Sequence, residues 1–550
     1  MSALVQAPGP AVRRPRSLDG VDALTVVLWI ICGAVVLVPI GAIVALSAGG
    51  SQLGVLLHGD VVEAAINSLV SATTSALAAV VLGAGFAIVF ERTDLRHRRI
   101  LRLMALTPLL MPPFVGAIAW LGVAGPSSPL NVWWRQMFGA PLWSIYGADG
   151  VIMLLTVHSY PLAMLIVSAA LRRIPSDLEQ AARISGAAPA RTVFSVTVPL
   201  LRPALLSSFL LIAVGNLADF GIPSIIGLPE RYVTLATLVY RYLQSGIVEE
   251  PLAVVATIGV VILIIAAVAL LLTSLIGRRG WELDSSSSPV QPLPLGRART
   301  PLGAAIWALV LAITLLPLLA LLSQTLLKAP GLALTLENLT LDNFGKALTS
   351  ATALSGAANS VMLAALAAIV CGVLGLGIGV LTTRTSARGA RGLNSVAMLP
   401  QAVPGIVIAV AWLILAPRSG LFNTPWLILA AYITSFTALV VQSVTAPLSS
   451  TPRSAEEAAR VSGAGRLRAL IDISTRMALP AAISGAVVVA ATAVRELTLS
   501  VLLLSPGSQT LGVAIFNFQQ AGAFNTAAAW SLIVAVFGIA LIGVATRRST

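Results

Sequence analysis

The sequence predicts an all-α polytopic membrane protein with about 12 transmembrane helices, arranged as two parallel six-helix repeats. Three observations carry this. The 550 residues are 57% hydrophobic and only 10% charged, with a mean hydropathy of +0.94, too apolar for an ordinary water-facing surface. Apolar runs of about 18 residues or more, each able to cross a hydrocarbon core of about 30 Å, recur along the whole length. Finally, Trp, Asn, Gly and Pro positions before residue 277 recur at fixed offsets after residue 300.

The expected spans are 23–47, 64–90, 101–124, 151–171, 203–225, 252–276, 302–326, 355–382, 395–415, 425–447, 480–498 and 526–546. The second, third, fifth, ninth and eleventh contain Pro, Gly or polar residues, which helices tolerate where neighbours or a water-filled path satisfy the freed backbone groups. These are expected to face the bundle interior. Cys32 and Cys371 fall inside the first and eighth spans as small apolar side chains, so neither a disulfide nor a metal site is expected. The apolar run after Arg13, Arg14 and Arg16 is too long for a signal-peptide core and is expected to remain as the first span.

Charge sets the orientation. The net charge is +13, and with the N-terminus inside, 27 of the 34 Lys and Arg fall in cytoplasmic segments when Arg102, at the cytoplasmic edge of the third span, is counted with its loop; six fall in external loops, and Arg495 lies within a span. This positive-inside bias predicts two cytoplasmic termini, and it accounts for the charge without a nucleic-acid partner. Anionic lipid headgroups of the bilayer, or a cytoplasmic protein, are the expected neighbours of these cations.

Three registers define the repeat. Trp29 and Pro39 match Trp307 and Pro317 at an offset of 278, and Asn67, Gly83, Gly85, Pro108, Pro112 and Trp120 match Asn359, Gly375, Gly377, Pro400, Pro404 and Trp412 at 292. Pro175, Glu179, Gly186 and Pro203 match Pro452, Glu456, Gly463 and Pro480 at 277. The step from 292 to 277 shortens the external loop after the ninth span by 15 residues. Residues 1–276 and 301–550 are therefore expected to be two halves of one orientation, joined by a Ser/Pro-rich cytoplasmic linker at 277–300.

The densest signal is a cytoplasmic loop at 172–202 and its repeat at 448–480. From Pro175 the first reads PSDLEQAARISGAAPARTVFSVTVPLLRP; from Pro452 the second reads PRSAEEAARVSGAGRLRALIDISTRMALP. Each is expected to form a short interfacial helix with Pro175 or Pro452 in its first turn. Ser176 with Glu179 offers a capping box, Glu179 with Arg183 and Glu456 with Arg460 are spaced to pair, and Gly186 or Gly463 suits the left-handed turn that ends the helix.

These loops resemble the E-A-A-x-x-x-G loop of binding-protein-dependent ABC importer permeases, with closest likeness to the fused ferric-iron type, a group related to thiamine, polyamine and 2-aminoethylphosphonate permeases. Further strings that resemble the family are Gly125-Pro126 through Leu130-Asn131, Tyr160-Pro161, Asp219-Phe220-Gly221 and Arg495-Glu496-Leu497. The resemblance implies a permease of the bacterial cytoplasmic membrane that passes a solute, ferric iron foremost, from an external binding protein into the cytoplasm. It implies contact with two copies of a cytoplasmic ATPase through Glu179, Gln180, Ala181, Ala182 and Gly186, and through Glu456, Glu457, Ala458, Ala459 and Gly463. Gln180 stands where the second copy has Glu457, and Val198-Pro199 becomes Thr475-Arg476, so the two contacts are expected to be unequal.

Intramembrane ionisable groups mark paths or packing pairs. Asp219 and Glu496 occupy one repeat position and are candidates for the path, with Arg495, His158 and Asn216. Arg495 neutralising Glu496 or Asp219, and His158 as a packing residue, are the competing readings. The sequence has no G-x-x-x-x-G-K-[ST] loop, Cys/His metal cluster or G-x-S-x-G elbow, so ATP and Mg would belong to the partner ATPase, and no catalytic residue, metal or cofactor is expected in this chain. An ion-coupled secondary transporter, the alternative from another class, would require more carboxylates well inside the membrane than are present.

Overall fold

The computed structural model describes residues 20–49, 52–246, 249–278, 292–385 and 389–547. Helices carry nearly all of the described chain, and its only extended pairings are two isolated bridges. In chain order the helices used below are α1 (Gly20–Gly49), α2 (Gly59–Arg92), α3 (Arg98–Leu110), α4 (Pro113–Ala124), α5 (Pro129–Phe138), α6 (Ala148–Leu171), α7 (Ser176–Ile184), α8 (Ala190–Leu217), α9 (Leu235–Ser245) and α10 (Pro251–Arg278). After residue 291 follow α11 (Arg299–Leu326), α12 (Ala351–Arg384), α13 (Ala390–Met398), α14 (Gly405–Ser419), α15 (Pro425–Ser449), α16 (Ser454–Val461), α17 (Arg466–Val494), α18 (Thr498–Leu502), α19 (Leu511–Gln520) and α20 (Phe524–Arg547).

Among the described residues nine helices are long and apolar enough to span a membrane unbroken, or eleven if two bent pairs each count as a span. The difference from twelve has a local cause. The expected third and ninth spans are broken by 106° and 104°, at Met111-Pro112 and at Ala402-Val403-Pro404, where proline removes the next helical N–H. The twelfth corresponds to α20, whose apolar portion is described over Phe524–Gly538.

The fifth and eleventh spans also move. Pro203 and Pro480 were expected to open them, yet both lie inside α8 and α17, which begin earlier, at Ala190 and Arg466, and end at Leu217 and Val494. Both helices contain a π-helical turn at matching places, Val193–Thr197 and Leu470–Thr475. Of the linker, residues 279–291 lie outside the described residues. Its last part is anchored: Leu293 N–H donates to Arg92 O (2.7 Å), Leu295 N–H to Asp94 Oδ1 (3.1 Å), and Arg299 faces Asp94 at 3.7 Å.

The chain divides into two compact units that do not follow chain order. One comprises 1–37, 368–399 and 436–489; the other comprises 38–367, 400–435 and 490–550. In the larger unit α2, α6 and α8 pack together, α10 packs on α8 and α14, and α11 packs on α4 and α20. Gly83 makes the α2–α6 crossing possible, since a Cβ there would stand 2.6 Å from Tyr160 O and 2.7 Å from Ala163 Cβ. In the smaller unit Gly375 does the same against Val440, the repeat partner of Ala163.

A duplicated, internally clamped surface helix

α7 and α16 are the helices of the two motif loops. Each ends as expected: Gly186 (φ +86°) and Gly463 (φ +94°) adopt the left-handed conformation. Gly186 N–H donates to Arg183 O and Ala187 N–H to Ala182 O (both 3.0 Å); Gly463 N–H and Ala464 N–H repeat this to Arg460 O (3.1 Å) and Ala459 O (3.0 Å). These are Schellman closures, which satisfy carbonyls that the helix end leaves open.

The acidic residues behave differently from expectation. Glu179 does not spend its carboxylate on Arg183, nor on a capping box, because helix α7 starts at Ser176 itself with Pro175 before it. Its Oε1 faces Arg92 Nε at 3.1 Å and accepts a hydrogen bond from Thr197 Oγ1 at 2.8 Å. Glu456 likewise turns from Arg460 to Arg384 Nε (3.0 Å) and Ser474 Oγ (2.7 Å). The Arg Nε contacts are ion pairs rather than aligned hydrogen bonds. Arg92 Nη2 donates to Leu171 O (2.8 Å) and Ile174 O (3.3 Å), and Arg384 Nη1 donates to Thr451 O, the repeat partner of Ile174 (3.0 Å).

The same four-part clamp is therefore built twice. An Arg at the end of α2 or α12 holds the Glu of the surface helix and the carbonyls just before it, while the π-helical turn of α8 or α17 supplies the hydroxyl. Such a turn adds one residue to the helical ladder and re-aims side chains. Both Arg and Glu are buried in each copy. Arg92 and Arg384 were absent from the sequence-derived site, although they stand in the 292 register already carrying Asn67 and Asn359. The copies differ at the rim: Glu91 pairs with Arg102 (2.8 Å) and Arg172 (2.9 Å), and this hydrogen bond raises Arg172 above its ordinary pKa, whereas the second copy has Thr383, whose carbonyl accepts from Arg453 (2.9 Å).

With the first acidic residue turned inward, the outward surface is made by the rest of the motif. Ala181, Glu457 and Ala458 are exposed, Gln180, Ala182 and Ala459 are partly so, and open space surrounds both glycines. Ile184 and Val461, at one repeat position, are 87% and 90% exposed. A bare aliphatic side chain thus stands just before the closing glycine in both copies.

The candidate path residues are placed at helix breaks. Asp219 Oδ1 accepts from Ile222 N–H (2.8 Å), capping the segment after α8; Glu496 accepts from Leu499 N–H (2.7 Å), Ser500 N–H (3.1 Å) and Ser500 Oγ (3.1 Å), capping α18. Arg495 is not the neutralising partner of either: its Nη1 donates to Leu109 O (3.1 Å) and Leu110 O (3.0 Å), carbonyls that the Pro112-Pro113 break leaves without helical donors. His158 lies against the Pro108 carbonyl and lines a cavity of about 30 Å³ with Thr107, Met111, Thr314 and Pro317. Asn216 ties three helices, donating to Ser75 Oγ (2.8 Å) and accepting from Ser159 Oγ (2.7 Å).

The repeat continues past the region in which sequence alone reveals it. Asn67 donates to Val233 O and Ser68 accepts from Leu235 N–H; Asn359 donates to Gln509 O and Ser360 accepts from Leu511 N–H. Thr234 and Thr510 cap α9 and α19. In that register Tyr240 and Phe516 are partners, and their rings meet edge-on at 6.1 Å, with Phe220 at 5.1 and 5.7 Å from them.

A helical membrane protein with a duplicated, clamped surface helix and matched breaks in its fifth and eleventh spans has the makings of a transport permease. The chain belongs to the family of binding-protein-dependent transport system inner membrane components, which it matches over residues 79–281 and 373–549. It is 25% identical over 496 residues to the ferric transport system permease protein FbpB of Actinobacillus pleuropneumoniae, covering 89% of this chain and 71% of that one. It is 23% identical over 483 residues to the Fe(3+)-transport system permease protein FbpB 2 of Haemophilus influenzae, covering 86% and 87%. A probable molybdenum ABC transporter permease protein of Haloferax volcanii is 29% identical over 246 residues, 45% of this chain and 87% of that one. The chain is thus a multi-pass inner-membrane permease subunit.

Proposed function

We propose that this chain is the transmembrane permease of an ATP-driven importer, with residues 1–276 and 301–550 as its halves and 277–300 as a cytoplasmic linker. The observation that carries this reading is the pair of clamped helices α7 and α16, each presenting Ala181 and Ile184, or Ala458 and Val461, outward. A separate ATPase subunit docks on each, so that ATP and Mg act outside this chain and two ATPase copies serve one permease. The basic segments keep both termini and both docking helices in the cytoplasm, and an external binding protein delivers the solute on the other side.

The solute is ferric iron, the cargo named for the relatives that align along most of the chain. The path runs past the breaks after α8 and α17, where Asp219, Arg495 and Glu496 hold the segments carrying Phe220 and leading to Phe516. Tyr240 with Phe516 closes it as an aromatic gate, while His158 and Asn216 serve helix packing. The test is uptake of radioactive ferric iron by proteoliposomes containing this chain, its ATPase and its binding protein. ATP-dependent iron uptake that ferric-loaded binding protein saturates is expected. Uptake of molybdate but not iron would overturn the substrate, and uptake driven by an ion gradient without ATP would overturn the class.

A further inference from the structure

Between Trp120 and Pro175 the first half is 15 residues longer than the matching stretch of the second, and there it carries α5 and its return loop, where the second half passes from Ser419 to Pro425 with no helix between. α5 is held rigidly. Ser128 Oγ caps it by accepting from Asn131 N–H (3.2 Å), and the buried Asn131 amide donates to Ala124 O, Gly125 O and Trp143 O at 2.7–3.1 Å while accepting from Leu142 N–H (3.0 Å). Leu130, Trp133, Trp134, Met137 and Phe138 fall at i, i+3, i+4, i+7 and i+8, one apolar stripe. That stripe faces away from the protein, since Trp133, Met137 and Phe138 are 53%, 64% and 63% exposed.

We infer that α5 is an interfacial anchor whose apolar stripe is covered by the headgroup and upper acyl region of the bilayer. Its level in the fold identifies this occupant. The start of α5, at Ser128 and Pro129, lies beside Ser323, Gln324 and Leu327, where α11 ends. The preceding turns of α11 expose Leu315, Leu316, Leu319 and Leu322, as a lipid-facing span does, so α5 begins where that lipid surface stops. An amphipathic helix of about 15 Å lying there, with Trp and Phe on one face and Arg135 folded back onto Pro126 O (3.1 Å), has the composition of an aromatic belt.

The test uses the whole chain in lipid nanodiscs. Met137→Cys and Gln136→Cys, each in a Cys32→Ala, Cys371→Ala background, carry an environment-sensitive fluorophore, quenched either by nitroxide-labelled lipid or by aqueous iodide. The label at 137 is expected to be quenched by shallow-labelled lipid and to be about threefold less accessible to iodide than the label at 136. In the unlabelled chain, brominated lipid should quench native tryptophan fluorescence, and Trp133→Phe with Trp134→Phe should remove part of that quenching. Equal iodide access at 136 and 137 overturns the inference. So does protection of 137 that arises only when the soluble binding protein is added, which would make the stripe a protein-docking face.

Discussion

Glu179 and Glu456 were legible as motif residues, but not in the role the structure gives them. Spacing alone favours the nearest cation, Arg183 or Arg460, because an i, i+4 contact is all a lone helix offers. Burial changes the balance: a carboxylate facing inward needs a buried cation and further hydrogen bonds, and Arg92 with Thr197, or Arg384 with Ser474, provide both. Removing one partner leaves an uncompensated buried charge, a loss of about 3–5 kcal/mol. Arg92→Met and Arg384→Met are therefore each expected to reduce ATPase co-purification strongly while the chain still inserts, and adding Glu179→Leu or Glu456→Leu to the matching variant should restore part of it. If both single variants capture ATPase normally, the clamps do not position the docking helices. At Gly186 and Gly463 space is free, so a valine is opposed by backbone strain alone, about 1–3 kcal/mol. Gly463→Val is expected to lower solute-stimulated ATP hydrolysis more than Gly186→Val, because the second surface carries an outward acid, Glu457, at the position that Gln180 holds in the first; equal losses would remove any mechanical meaning from the difference between Gln180 and Glu457.

At the scale of elements, the breaks rather than the helices escaped sequence reading. Pro112 and Pro404 were visible as repeat partners, yet a proline in an apolar run signals a kink and a full stop equally well. What decides is whether the freed carbonyls find donors, and Arg495, 385 residues from Leu110, is such a donor. Asp219 and Glu496 share a repeat position in the sequence, but their capping bonds depend on where α8 and α17 stop, and Pro203 and Pro480 misled on that point. The two caps predict different sensitivities. Asp219 uses one oxygen, so Asp219→Asn keeps its acceptor and should leave uptake near normal. Glu496 uses both oxygens on donors, so Glu496→Gln turns an NH2 toward the Ser500 donors and should slow uptake, by about tenfold for a loss of 1–2 kcal/mol. Measured uptake rates in proteoliposomes check this, and equal rates for the two variants would show that the charges, or neither group, matter.

For the molecule as a whole, membrane class and internal duplication follow directly from hydropathy and from the offsets of 278, 292 and 277. The fourth register, 276, becomes visible only through shared contacts, because α9 and α19 keep Thr234 and Thr510 but few other identities. It brings Tyr240 to Phe516, repeat-equivalent side chains whose rings meet edge-on. In the function proposed above, one fused chain presents two docking helices to two ATPase subunits. Native mass spectrometry of the purified complex, with the Arg92→Met and Arg384→Met variants alongside, measures this directly. Two ATPase copies per permease chain are expected, falling to one in either variant. A wild-type complex that holds a single ATPase, or none, would contradict it.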